Sequence, residues 1–176
     1  MNFELSEEQK MIQQSVERFV QENYDLTNRI KISSEDPGFS NEYWSSMAEL
    51  GWLGLAFAED DGGFGGNQID TLVLMEQFGK GLVLEPFLAN IVLGGGAIKR
   101  GASEALRKSI IPSLIEGNLQ VTLAYAEEQS RFDLEDVATS ALEENEDFII
   151  NGKKSMVLNA ESADKIAVVT RTSGSQ

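Results

Sequence analysis

The chain has 176 residues, 41% of them apolar, with no cysteine, no histidine and a formal charge of −15 from 29 acidic and 14 basic side chains. Both halves are acidic, which argues against a nucleic-acid partner and against an anionic membrane surface, because each needs a basic footprint. Without thiols or imidazoles, thiol chemistry, zinc sites of the usual kind and Ser-His machinery are excluded within the chain, and proton transfer falls to carboxylates, Lys or Tyr.

The start, from Met1 to Glu8, is charged too early for a signal peptide. No apolar run approaches the ~20 residues that a spanning helix needs. A soluble, cytoplasmic protein is expected. Ser6-Glu7-Glu8-Gln9 forms a capping box, and the helix it opens runs to about Asn23 with Ile12, Val16, Phe19 and Val20 on one stripe. Glu35-Asp36-Pro37-Gly38 reads as a turn. Ser40 opens a second helix carrying Trp44, Met47, Ala48 and Leu50, closed by Gly51 as a left-handed cap. Trp52–Phe57 is a buried connector. Ile69–Phe78 and Pro86–Arg100 are apolar nearly all round and read as buried helices, with Pro86 in the first turn of the second. Ser103 and Glu104 open a last helix, expected to break near Pro112.

Two glycine clusters resemble phosphate loops without being them. Asp61-Gly62-Gly63-Phe64-Gly65-Gly66 has Gln68 where a dinucleotide loop needs its third glycine, and three acids precede it. A mobile loop or pocket wall is the better reading. Gly94-Gly95-Gly96 lies in a helical pattern, where each glycine costs about 1 kcal/mol relative to alanine, so close packing is the expected reason.

Glu116-Gly117-Asn118 stops the helical pattern, and Leu119 begins a β-rich run. Val137–Leu142, Phe148–Asn151 and Ser155–Leu158 read as short antiparallel strands, with Asn151-Gly152 as a hairpin turn between the last two, and Lys165–Arg171 as one more. The fold class is therefore α+β: a helical bundle over 1–118 followed by the beginning of an antiparallel β domain over 119–176, with a crevice at the junction as the place for a ligand.

A series of short motifs along this frame resembles one family. Leu5-Ser-Glu-Glu-Gln9, Leu50-Gly-Trp-Leu-Gly-Leu55, Glu59-Asp-Asp-Gly-Gly-Phe-Gly-Gly66, Ile111-Pro-Ser-Leu-Ile-Glu-Gly117, Ile150-Asn-Gly-Lys-Lys154, Asn159-Ala and Ala163-Asp164 run in the order and spacing of the acyl-CoA dehydrogenases. Each piece is weak alone, and the series is specific. Within that family, Ala126–Asp133 and Leu82-Val-Leu-Glu-Pro86 look most like the small subunit of pimeloyl-CoA dehydrogenases.

The resemblance implies FAD as cofactor and an acyl-CoA thioester as substrate. The family's flavin loop, usually Thr-Glu-Pro-Gly-Ala-Gly-Ser-Asp, is here Ala126, Glu127, Glu128, Gln129, Ser130, Arg131, Phe132 and Asp133. The hydroxyl facing the flavin is lost at Ala126, and Phe132 stands where a serine helps place flavin and thioester. The second segment, usually Trp-Ile-Thr, is Met156-Val157-Leu158, without the aromatic ring or the hydroxyl. The implied cofactor contacts are then Leu123, Tyr125, Ala126, Glu127, Phe132, Met156, Val157 and Leu158, largely through backbone groups, which do not depend on side-chain identity. Phe132 and Asp133 are the implied substrate contacts, and no metal is implied.

The family's base, a glutamate that takes the α proton, lies in a C-terminal helical domain absent here, so no catalytic residue is assigned. The simplest account is a truncated or split form of a protein about twice this length. Three functions stay open: the front part of an FAD-dependent acyl-CoA dehydrogenase, acting on a dicarboxylyl thioester such as pimeloyl-CoA; a non-catalytic subunit of a homo- or hetero-oligomer with a second such chain; and a helical interaction module without flavin.

Overall fold

The computed structural model describes residues 4–145 and 147–174. The ends of the signal-peptide and C-terminal readings, and Glu146, lie outside the described residues. The chain divides into two units: one runs to Phe87 and includes Ser103–Asn118, and the other comprises Leu88–Ala102 with the chain from Leu119 onward.

The first unit is built on α1 (Glu7–Asn23), α2 (Leu26–Ser34), α3 (Asn41–Glu49), α4 (Gln68–Gly81) and, in chain order after α5 (Gly96–Gly101) of the second unit, α6 (Glu104–Ile115). The expected capping box opens α1, with Ser6 Oγ accepting the Gln9 N–H at 3.1 Å and Gln9 Oε1 accepting the Ser6 N–H at 3.0 Å. Ser40 and Ser103 cap α3 and α6 as their positions predict, and Gly51 ends α3 at φ +78°. Helix α2 has no counterpart in the sequence reading. Its signal is Asp25, whose carboxylate accepts from the N–H groups of Thr27 and Asn28, but its residues are mostly polar and make no apolar stripe.

Helices α1 and α4 run side by side in the same direction. Gln9 meets Asp70 and Tyr24 meets Glu85 at the same separation of 61 residues, and Val20 packs onto Gly81 between them. Edge-to-face rings join the elements of the core: Phe19 on α1 to Trp52 at 5.3 Å, Trp52 to Phe78 on α4 at 5.8 Å, and Phe78 to Phe87 at 5.3 Å. Ile69 and Leu72 of α4 are exposed, so that helix is buried on one side and not all round. Pro112 does not break α6. It sits on the exposed face, where the carbonyl it leaves without a donor can meet water, while Ile110, Ile111 and Leu114 stay buried on either side of it. The Gly63–Gly66 stretch is tied down, Gly65 and Gly66 donating to the Phe57 and Leu55 carbonyls at 2.7 and 2.8 Å.

In the second unit the expected helix over Pro86–Arg100 is π-helical over Leu88–Gly95 and becomes α5 over Gly96–Gly101. The strands are β1 (Val121–Ala124), β2 (Ser140–Glu144), β3 (Asp147–Asn151) and β4 (Lys165–Val168). β2 and β3 pair antiparallel, as expected, from Ser140 opposite Asn151 to Glu144 opposite Asp147. β1 and β4, however, pair parallel, and the antiparallel expectation fails for them. The β2–β3 hairpin forms a separate ladder, so β4 returns to β1 after an excursion of some 40 residues and enters it in the same direction.

Ser155–Leu158 is not a strand. Met156 and Asn159 take left-handed φ of +52° and +55°, which breaks extended geometry. Asn151-Gly152 is accordingly no hairpin turn, and the turn lies at Asn145, φ +56°. Gly152 serves contact instead, because a Cβ there would stand 2.5 Å from Thr139 Oγ1.

Glu85 gives the first unit a pH dependence. Its carboxylate is buried, accepts the Tyr24 hydroxyl, and takes the Ser40 N–H at 3.1 Å. Burial, opposed only by backbone donors such as Ser40, raises its pKa from 4.5 to about 7. The folded state therefore holds a proton that the unfolded state releases, and stability falls as pH rises from about 4.5 to about 7, by about 3 kcal/mol. Urea unfolding at pH 5 and pH 8 should show this loss, and Glu85→Gln, which cannot ionise, should abolish most of the difference.

Candidate functional site

Two of the stretches expected from the sequence, Leu123–Glu127 and Met156–Leu158, meet within the second unit, and no described hydrogen bond brings Phe132 or Asp133 to them. β1 ends at Ala124, and the chain continues through Tyr125 and Ala126 into the loop of Glu127–Asp133. The Ala126 carbonyl accepts the Ser155 N–H at 2.9 Å, and Thr122 Oγ1 donates to the Leu158 carbonyl at 2.5 Å. These two bonds bring Leu123–Glu127 and Met156–Leu158 side by side, although some 30 residues separate them. Leu123 is half-buried in β1, and Ala126 and Val157 are half-buried. Tyr125 is 42% exposed, Leu158 47% and Met156 86%.

Glu127 is the anchor of this arrangement and not a surface acid. Its carboxylate is buried and bonds Lys154 Nζ at 2.6 Å, and both side chains are shielded from solvent. It also accepts the backbone N–H groups of Ala138 and Thr139 at 2.8 and 3.0 Å, and Gln129 Nε2 at 2.6 Å. Burial alone would raise its pKa, but the Lys154 ammonium and the donors from Thr139 and Gln129 outweigh it and hold the carboxyl well below the usual carboxylate range. A carboxylate so committed is a poor proton acceptor.

The rest of the loop is an ordinary turn. Ser130 Oγ accepts the Glu127 N–H at 3.2 Å and donates to the Glu127 carbonyl at 2.9 Å, and the Asp133 N–H bonds the Ser130 carbonyl at 2.7 Å. Asp133 is exposed, its carboxylate accepting the Glu135 N–H. Phe132 is 99% exposed, next to Arg131 at φ +48°.

The chemistry of this surface fits the ring of a flavin. Tyr125, Met156 and Leu158 offer polarisable and apolar surface beside the end of a strand whose backbone supplies donors and acceptors. It fits the cofactor's phosphates less well, since Lys153 is paired with Glu128 at 2.6 Å and Lys154 with Glu127. Lys154 escaped the sequence reading as a site residue, although Asn151-Gly-Lys-Lys154 was visible as a motif. Nothing local says which of two adjacent lysines turns inward.

A separate groove of about 820 Å³ lies within the first unit, between α1 and the glycine loop, with Trp52, Phe64, Gly65, Gly66 and Asp70 among its walls. The glycine cluster is thus a pocket wall.

Comparison with known proteins agrees with the motif series. The family described as "Acyl-CoA dehydrogenase, N-terminal domain" matches residues 6–118, and "Acyl-CoA dehydrogenase, middle domain" matches residues 122–176. The chain belongs to the acyl-CoA dehydrogenase family, whose members are oxidoreductases. It is 28% identical over 172 residues to the mitochondrial isovaleryl-CoA dehydrogenase of Bos taurus, covering 96% of this chain and 40% of that one. A solved structure of PigA with FAD and proline is similar with a TM-score of 0.85 at 27% identity, over 98% of this chain and 45% of that one. The ChsE4–ChsE5 complex from Mycobacterium tuberculosis shares the fold, with a TM-score of 0.87 at 22% identity over 98% of this chain and 46% of that one. The chain spans less than half the length of the curated relatives it matches. No helix among the described residues is long and apolar enough to cross a membrane.

The ion pair makes a sharp prediction. Lys154→Met leaves a buried carboxylate without its counter-charge and should cost about 3–5 kcal/mol in urea unfolding, whereas adding Glu127→Gln to it should recover most of that loss. Because the Glu127 pKa is depressed, its contribution persists at all pH values above the ordinary carboxylate range and declines only as pH falls below it.

Proposed function

We propose that this chain supplies the helical N-terminal domain and the first part of the middle domain of an FAD-dependent acyl-CoA dehydrogenase that desaturates an acyl-CoA thioester between its α and β carbons. The observation that supports this reading is the pair of bonds, Ser155 to Ala126 and Thr122 to Leu158, that sets side by side the two stretches resembling the family's flavin segments. The PigA structure similar to this chain holds FAD. Flavin, when bound, supplies the acceptor for the substrate's hydride. This chain's share is to hold the ring: Leu123, Tyr125 and Ala126 along one side with their backbone groups, and Met156, Val157 and Leu158 along the other. Phe132 and Asp133 face the thioester at the end of the loop. Glu127, locked in its ion pair, is not the base that takes the α proton in this reading.

The substrate within this reading is a dicarboxylyl thioester such as pimeloyl-CoA, on the likeness of Ala126–Asp133 and Leu82–Pro86 to the small subunit of that enzyme. A second reading, a non-catalytic subunit beside a catalytic paralogue, is favoured by a specific loss. Ala126, Met156 and Leu158 have given up the hydroxyls and the aromatic ring with which the family grips flavin, and missing bonds to a buried polar ring cost roughly 1–3 kcal/mol each. The ChsE4–ChsE5 complex shows the same fold within an assembly of two different chains. In either reading the chain works in a homo- or hetero-oligomer in the cytoplasm.

Flavin content and turnover with pimeloyl-CoA, using an artificial electron acceptor, test the two readings together. The 176-residue chain alone should retain little FAD and show no turnover, because ring contacts must offset an association cost of several kcal/mol without phosphate contacts. A chain extended by the family's C-terminal domain should show both, alone or with a second family member. If the second member binds flavin and turns over equally well without this chain, the catalytic reading fails. Phe132→Ser in the extended protein should raise flavin retained per chain, and unchanged retention removes Phe132 from the site.

A further inference from the structure

Strand β1 has two edges, and only one of them is paired with a strand among the described residues. On the β4 side, the Gln120 carbonyl accepts from Asp164 and Lys165, and the Ala124 carbonyl accepts from Val169. Backbone groups alternate along a strand, so Val121 and Leu123 direct theirs to the opposite edge. There the π-helical stretch takes the place of a strand. Asn90 is completely buried, accepts the Val121 N–H at Oδ1 over 2.6 Å, and donates from Nδ2 to the Leu119 carbonyl at 3.4 Å. Four residues on, Gly94 lies so close that a Cβ would stand 1.9 Å from the Val121 carbonyl oxygen. Any side chain at 94 would push the helix off the strand. A carboxamide has one acceptor and a donor on the same plane, as a neighbouring strand's peptide does. Asn90 therefore ends the ladder on that edge at Val121 without adding a strand that would continue over Leu123.

We propose that Asn90 is a positioning residue for flavin: by closing the β1 edge at Val121, its carboxamide fixes the backbone of Leu123, the next position on the same edge, as the polar rim presented to the ring. Val121 and Leu123 are about 7 Å apart along the strand, so a displacement at one is carried directly to the other. A strand in Asn90's place would consume the Leu123 groups as well, and an apolar residue would leave the Val121 N–H buried without a partner. Asn90 and Gly94, four residues apart on one face of the π-helical stretch, both reach the strand, and such winding recurs at functional positions. The proposal rests on the reading of Leu123–Ala126 as a flavin segment.

The test uses the extended, assembled protein and two substitutions. Asn90→Leu should weaken FAD binding at least tenfold in a fluorescence titration and speed hydrogen exchange at the Val121 amide. Asn90→Asp separates positioning from loss of fold. In acid its neutral carboxyl offers the same acceptor to Val121 and an O–H donor to Leu119. Its flavin affinity, relative to the parent at each pH, should therefore match in acid and fall as pH rises through the pKa of the new carboxyl, which burial raises. Flavin affinity and visible spectrum unchanged in Asn90→Leu overturn the proposal, and so does an Asn90→Asp affinity ratio that does not vary with pH. Val121 exchange, followed without flavin, separates the two layers of the argument. Exchange that does not respond to Asn90→Leu overturns the edge contact and the positioning role that depends on it, and leaves the flavin reading standing. A parent protein that binds no flavin while its Val121 exchange does respond overturns the flavin reading, and the positioning role with it.

Discussion

The second unit depends on one buried ion pair. Glu127 and Lys154 lie 27 residues apart in sequence, and their 2.6 Å contact joins the loop that leaves β1 to the segment that leads into Met156. The same carboxylate receives the backbone of Ala138 and Thr139, at the entry to β2. One side chain thus organises three stretches of irregular backbone that have few ladder bonds of their own. Such a pair gains little over apolar packing, but it is intolerant of losing one partner, because a lone buried charge is left behind. That intolerance suits a place where a loop must keep one conformation.

The first unit contains the opposite solution to the same problem. Glu85 is as buried as Glu127, but no cation is hydrogen-bonded to it among the described contacts, and a tyrosine hydroxyl and a backbone N–H are its partners. Two carboxyls, one driven to stay charged and one driven towards neutrality, differ in that Glu127 meets an ammonium group and the donors of Thr139 and Gln129, whereas burial prevails at Glu85. Glu85 joins the C-terminal cap of α1 to the N-terminal cap of α3, and Gln9 with Asp70 joins the other ends of α1 and α4. The constant offset of 61 residues between these contacts records two parallel helices held in register at both ends, with an aromatic chain from Phe19 to Phe87 filling the space between elements.

The loss of side-chain hydroxyls at Ala126 and Leu158 and of the ring at Met156 does not disturb the scaffold around them. The two bonds that set Leu123–Glu127 beside Met156–Leu158 use the Ala126 and Leu158 carbonyls, which any residue supplies. Side-chain changes at Ala126, Met156 and Leu158 and retention of this backbone arrangement are therefore compatible.

Local chemistry made much of the helical half readable. Ser6 with Gln9, Ser40, Gly51 and Ser103 each satisfy helix-end groups within a few residues, so the bounds of α1, α3 and α6 needed no tertiary information. Helix α2 and the persistence of α6 through Pro112 were not readable in this way: one has a cap but no stripe, and the other is held by burial of Ile110, Ile111 and Leu114 against a local penalty. In the β half, the apolar pattern announced extended chain but said nothing of partner or direction, because period-two alternation is the same in parallel and antiparallel ladders. The order of motifs along the chain determined the family. Only the folded structure decided that β4 returns parallel to β1, that Ser155–Leu158 is pinned by cross-bonds and not by a ladder, that Lys154 and not Lys153 turns inward to Glu127, and that Asn90 closes the edge of β1. Each of these is a contact between residues 27 to 44 positions apart, and its energy depends on where the intervening chain goes, which no short window of sequence contains.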